Sequence, residues 1–160
     1  MTMNTWHRRW VAPVGGLTEI AADEANRYLL VVSAAGRGVY DLGTGERVAR
    51  DYESPRYDSE WLDETEHRVR GIGALEDVWL TAVGLWGGAL PLISGGDRLI
   101  VTGDPHGAQS LLLHNGAGEL RIESKIVTEI RAVGFLQPAN MIVLATSSDV
   151  SVFAPLSNLP

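Results

Sequence analysis

Apolar residues in this chain come in short runs, each stopped by glycine or a polar turn before it reaches the length of a helix. Tyr28 to Ser33 is continuously apolar up to its last residue, the mark of a strand buried on both faces. Val39 to Leu42 follows Gly36 and Gly38, which are expected to supply the positive φ of a tight turn, and Glu46 to Asp51 alternates like a half-exposed outer strand. Upstream, Arg9 to Val14 and Leu17 to Ala22 read as strands, the first stopped by Pro13 and Gly15-Gly16. Downstream, the same signals recur at His67 to Ile72, Val78 to Val83, Ala89 to Ser94, Arg98 to Thr102, Ser110 to His114, Glu119 to Glu123, Ile126 to Val133, Met141 to Thr146 and Val150 to Phe153. The pattern predicts an all-β chain of about fourteen short strands.

Several of these runs echo one another. Val39-Tyr40-Asp41-Leu42 entering Gly43-Thr44-Gly45-Glu46 returns as Leu112-Leu113-His114-Asn115 entering Gly116-Ala117-Gly118-Glu119. Thr18-Glu19-Ile20, Leu29 to Ser33 and Val39-Tyr40 return as Thr128-Glu129-Ile130, Met141 to Ala145 and Val152-Phe153. Ile100 lies 70 residues after Leu30 and Ile142 lies 42 after Ile100, which fits a repeat of about 35 to 42 residues. Four such units fill one domain spanning residues 1–160.

Gly38 to Glu46 and Ser147-Ser148-Asp149-Val150-Ser151-Val152-Phe153 resemble the third strand and turn of WD-repeat-like β-propellers, over about three quarters of the chain. The Gly-His and Trp-Asp dipeptides of that family are missing, Tyr40-Asp41 being the nearest approach. The resemblance implies a small propeller-like domain of about four short antiparallel blades, with the N-terminal strand around Trp10 completing the last. The alternative is a β-sandwich built from the same hairpins.

The pattern fails between Asp51 and Glu66, where seven acidic residues surround Tyr52, Tyr57 and Trp61 with Pro55 between them. Irregular stretches of this length are often functional, and a helical turn from Ser59 to Glu66 with Ser59 as N-cap is the one regular element expected in it. Gly84-Leu85-Trp86-Gly87-Gly88 is the second place of interest. Trp86 is either a contact residue at a turn tip or a core tryptophan pinned between sheets.

Composition narrows the classes of function. The 160 residues are 45% hydrophobic and 21% charged, as in globular proteins, and the absence of cysteine excludes disulfides, thiolate catalysis and cysteine-held zinc. The N-terminus has no apolar run behind its arginines and no run of about eighteen apolar residues occurs, so neither a signal peptide nor a membrane anchor is expected, and the cytoplasm is the expected compartment. A net charge of −7, with Lys125 the single lysine, argues against nucleic acid.

Catalytic constellations are equally scarce. Asp104, His106 and His114 lack the spacing of a known metal site, Gly71-Ile72-Gly73 lacks the third glycine of a dinucleotide fingerprint, and no serine stands in a nucleophile elbow. Carboxylates within 51–66 could in principle form a glycosidase pair, but they crowd one exposed run. No cofactor, metal or catalytic residue is therefore expected. Aromatic rings interleaved with acids are instead the residue types of a protein interface that selects a cationic partner. The expected contact residues are Tyr52, Glu53, Tyr57, Asp58, Glu60, Trp61, Asp63, Glu64 and Trp86. The expected function is non-catalytic protein binding by a monomer or homodimer, in its most specific form a bacterial immunity protein neutralising a basic toxin. The alternatives are a small-molecule or sugar-binding domain, with or without hydrolysis, and a structural fragment that self-assembles.

Overall fold

The computed structural model describes residues 5–138 and 140–156. Those residues form sixteen strands and one 3-10 turn, Gly73–Leu75, with no helix long and apolar enough to cross a membrane. The strands make four separate antiparallel sheets. β1 (Trp6–Pro13) leaves the N-terminus and is used last. β2 (Leu17–Ala22), β3 (Tyr28–Ser33), β4 (Gly36–Asp41) and β5 (Arg47–Asp51) form a meander, with a later strand added beside β2. β6 (Leu62–Asp63), β7 (Arg68–Arg70) and β8 (Trp79–Thr81) form a three-stranded sheet, and β9 (Val83–Gly84) is the strand that returns to β2. β10 (Ile93–Ser94), β11 (Asp97–Gly103), β12 (Gln109–Asn115) and β13 (Gly118–Ile126) form the third sheet. β14 (Ile130–Leu136), β15 (Met141–Thr146) and β16 (Asp149–Pro155) form the fourth, which β1 completes by pairing with β16.

Most strand expectations hold to within a few residues, but Ala89 to Ser94 is strand only at Ile93–Ser94 and Ile126 to Val133 is broken between the end of β13 and the start of β14; three further corrections follow. Gly38 lies inside β4 opposite Val31, outside the set of positive-φ glycines, so Gly36 alone serves the β3–β4 turn. The segment expected to be helical from Ser59 to Glu66 instead carries β6; the Ser59 hydroxyl accepts the Arg56 amide at 2.9 Å and caps a turn. The Val78 to Val83 run splits between two sheets, β8 in one and β9 in another.

Three hydrophobic clusters hold the sheets face to face. Trp61, Val69, Leu75 and Leu80 of the β6–β8 region meet Leu30, Val32 and Val39 of the β2–β5 sheet. The opposite face of that sheet, with Leu29, Val31 and Tyr40, meets Val143, Ala145 and Trp10 of the β14–β16 sheet. The far side of the latter, with Ile142, Leu144 and Phe153, meets Leu99, Leu111 and Leu113. Strands buried on both faces need apolar residues at every position, which is why β3 and β15 read as continuous runs. Among the described residues no such cluster joins the β6–β8 sheet to the β10–β13 sheet.

The β4–β5 and β12–β13 hairpins are the two copies of the Gly-x-Gly-Glu echo. Asp41 Oδ1 accepts the amides of Gly43 and Thr44, and Asn115 Oδ1 accepts that of Ala117, so the structural counterpart of Asp41 is Asn115 and not His114. The Thr-Glu-Ile echo is out of register in a more consequential way. Pairing of β2 with β3 skips Thr18, between Leu17↔Ser33 and Glu19↔Val32; pairing of β14 with β15 skips Arg131, between Ile130↔Thr146 and Ala132↔Ala145. The same bulge stands at the same place in both sheets, which matches Glu19 with Ala132 and leaves Glu129 three residues away from the equivalence.

Trp10 fastens β1 to the neighbouring sheet. Its indole N–H donates to the Leu42 carbonyl at 2.8 Å, its ring stacks on Tyr40 with centroids 5.9 Å apart, and Gly45 lies directly beneath it. A Cβ on residue 45 would sit 2.5 Å from the ring, at a φ of +76°. Gly45→Ala is therefore expected to destabilise the fold by about 2 kcal/mol or more, read as a lowered urea midpoint with unchanged slope.

Candidate functional site

Residues 51–66 lead from the end of β5 through β6, and what holds them is a residue the sequence did not single out. Arg37, on β4, is 6% exposed. Its Nε and Nη2 donate to Asp51 Oδ2 at 3.1 and 2.7 Å, its Nη1 donates to the Arg70 carbonyl at 2.6 Å, and its guanidinium lies 4.3 Å from the centre of the Trp61 ring. Desolvation pushes the Asp51 carboxyl up, but hydrogen bonds from Arg37 and the Glu53 amide, together with the Arg37 charge, outweigh it and hold the carboxyl below its ordinary value.

Trp61 is thus part of the core, 2% exposed, and its ring is closed to a partner. Sequence reasoning grouped it with the contact residues because the acids on either side disguised its packing. The other aromatics of the segment are exposed: Tyr57 is 87% exposed, and Tyr52 is 75% exposed with the Arg50 guanidinium 4.7 Å from the centre of its ring. Glu53, Asp58 and Glu60 border a depression of about 400 Å³ with Arg37, Arg56 and Arg70. Asp63 and Glu64 turn away from it and border a second cavity, of about 370 Å³, together with Trp86. The expected contact residues therefore divide between two neighbouring hollows, with Tyr52 and Tyr57 outside both.

The second cavity joins the segment to the Gly-rich turn. Its remaining walls are Glu19, Leu62, His67, Arg68, Val69 and Ala82, so it lies between the β6–β8 sheet and the inner strands β2 and β9. Trp86 is 36% exposed here, a rim position between the two outcomes expected for it. Asp63 is committed, accepting from Arg68 at 3.0 Å and from the Glu66 amide at 3.1 Å; the Arg68 hydrogen bond is the chief reason its carboxyl lies below its ordinary value.

Glu19 is the unusual member. The β2 bulge turns it toward the β6–β8 sheet, into the position that Ala132 fills with a methyl group in the β14–β16 sheet. It is 1% exposed, Oε1 accepts the Trp86 amide at 2.7 Å, and Oε2 is buried with no hydrogen-bond partner among the described residues. Desolvation raises its pKa from 4.5 to about 7, against the opposing pull of the Trp86 amide, the Arg131 charge and the Leu85 amide. Arg131 itself is bonded elsewhere, to the Leu17 carbonyl at 3.0 Å and to Glu129 at 2.9 Å. Gly84 permits this arrangement, because a Cβ there would meet the Thr18 carbonyl oxygen at 2.1 Å and Glu19 Oε2 at 2.8 Å.

The signal for Glu19 was present as a lone acid within Leu17 to Ala22, but its false echo with Glu129 made it look like an ordinary repeat residue. No group of three or more His, Cys, Asp or Glu residues suited to a metal ion occurs among the described residues. His114 pairs with Glu119, while Asp104 caps its own turn by accepting the His106 amide. Comparison with known families, curated proteins and solved structures finds no match to this chain.

Proposed function

We propose that the chain is a non-catalytic protein-binding domain that docks a basic protein partner through residues 52–64 and the neighbouring Trp86, in its most specific form a toxin that it neutralises. The observation that carries this reading is the pair of exposed tyrosines, Tyr52 and Tyr57, on an acidic stretch whose base is pinned to the core by Trp61 and Arg37. A segment held at its base loses little freedom on docking, and exposed aromatic rings supply buried area to a partner. Carboxylates of Glu53, Asp58, Glu60 and Glu64 favour capture of a cationic surface.

For the architecture, we propose four short blades of a propeller-like repeat, with β1 completing the last. Three separate clusters joining four sheets, the repeated inner-strand bulge and the repeated hairpin turn support blades over a two-sheet sandwich.

Replacing Tyr52, Tyr57, Asp58 and Glu60 together, and leaving Trp61 in place, tests the docking surface. The proteins encoded beside this gene, purified and titrated calorimetrically, are the probes. One of them is expected to bind the unaltered chain and to lose at least ~100-fold in affinity to the variant, with a circular dichroism spectrum that does not change. Binding of such a partner with equal affinity to both proteins would rule this surface out.

A further inference from the structure

A carboxylate oxygen buried without a partner is costly, and β14 fills the matching position with Ala132 at no such cost. Its surroundings indicate what could satisfy it. The cavity beside it holds Glu19, Asp63 and Glu64 against one guanidinium, that of Arg68, which is taken by Asp63. Leu62, Val69 and Ala82 supply apolar wall, and the half-covered indole of Trp86 supplies an aromatic surface. An aromatic ring, an unpaired carboxylate and a short apolar wall are together the recognition chemistry of an organic cation.

From this geometry we infer that the cavity bordered by Glu19, Glu64 and Trp86 is a binding site for a guanidinium or primary ammonium group, with the Glu19 carboxyl in its wall as the counter-charge. A volume of about 370 Å³ accommodates an arginine or lysine side chain. The group can arrive on a free amine or on a side chain of the docked protein; the second source rests on the docking proposed above, the first does not. The bound cation replaces the proton that burial otherwise keeps on Glu19. His67 and Arg68, which also border the cavity, and Arg131 beside Glu19 set the background charge against which this exchange takes place.

Calorimetric titration at pH 7.5 with argininamide, and separately with a short arginine-bearing peptide, tests the inference. Nα-acetylcitrullinamide, which keeps the side-chain shape and carries neither guanidinium nor ammonium, is the control. Argininamide is expected to bind the unaltered protein and to lose at least ~10-fold in affinity to Glu19→Gln, and to Trp86→Leu as a second variant, while Tyr52→Ala/Tyr57→Ala leaves it unchanged. Binding of the peptide alone, with the same sensitivity to Glu19→Gln, would assign the group to a protein side chain. Absence of binding by both probes, equal binding of Nα-acetylcitrullinamide, or affinity indifferent to Glu19→Gln would overturn the site. The two proposals also fail separately. A partner that ignores Glu19→Gln but requires Tyr52 and Tyr57 would leave docking intact and remove the cavity from it, and argininamide binding without any protein partner would do the reverse.

Discussion

Glu19→Gln is expected to flatten the dependence of folding stability on pH between about 5 and 8. In the native protein the Glu19 carboxyl titrates at about 7 against an ordinary value of 4.5, so the folded state holds its proton more tightly than the unfolded chain does. The contribution of this group is fully present below 4.5 and is lost as pH rises through about 7. A shift of that size corresponds to roughly 3 kcal/mol, so the unaltered protein is expected to be markedly less stable at pH 8 than at pH 5 through this group alone. Glutamine keeps the acceptor for the Trp86 amide and never ionises, although its amide nitrogen inherits the place where Oε2 now lacks a partner. Urea denaturation at pH 5, 6, 7 and 8 checks this. A variant whose profile still falls as steeply as that of the unaltered protein would show that Glu19 is not the source.

Arg37→Met is expected to cost about 3 kcal/mol, the second large effect. Methionine can occupy the space but abandons Asp51, the Arg70 carbonyl and the face of Trp61 together. Because Asp51 is partly exposed, water recovers some of its hydration, so the figure lies at the low end for breaking a buried pair. The Asp51 carboxyl lies below its ordinary value of 3.8, so the stability that Arg37 confers through it is present above that value and lost as pH falls through the lower folded one. Denaturation at pH 7 followed by tryptophan fluorescence measures the loss. A change under 1 kcal/mol would mean that residues 51–61 are held by something other than this arginine.

These residues also show how far the sequence could be read. Strands such as β3 and β15 were legible because burial on both faces leaves an unbroken apolar run, and hairpin turns were legible because Gly43 to Glu46 and Gly116 to Glu119 repeat a backbone requirement. The irregular segment was also visible, as a place where periodicity stops. Its inner anchoring was not: Trp61 is buried by Arg37, 24 residues away in sequence, and nothing near Trp61 announces that contact. Glu19 was hidden for a different reason. A one-residue bulge reverses which face a side chain takes, and sequence alignment of Thr18-Glu19-Ile20 with Thr128-Glu129-Ile130 takes no account of it. The result is a buried acid where the matching strand has alanine, a difference that only the pairing register reveals.

Glu19, a buried carboxyl in the wall of the cavity proposed to take an organic cation, is the central feature. The most direct measurement is a carbon-13 NMR titration of the Glu19 side-chain carboxyl, assigned through Glu19→Gln, with and without argininamide. A midpoint near 7 is expected, falling by at least one unit when argininamide is saturating. A midpoint near 4.5 in the free protein, or one that argininamide does not move, would contradict it.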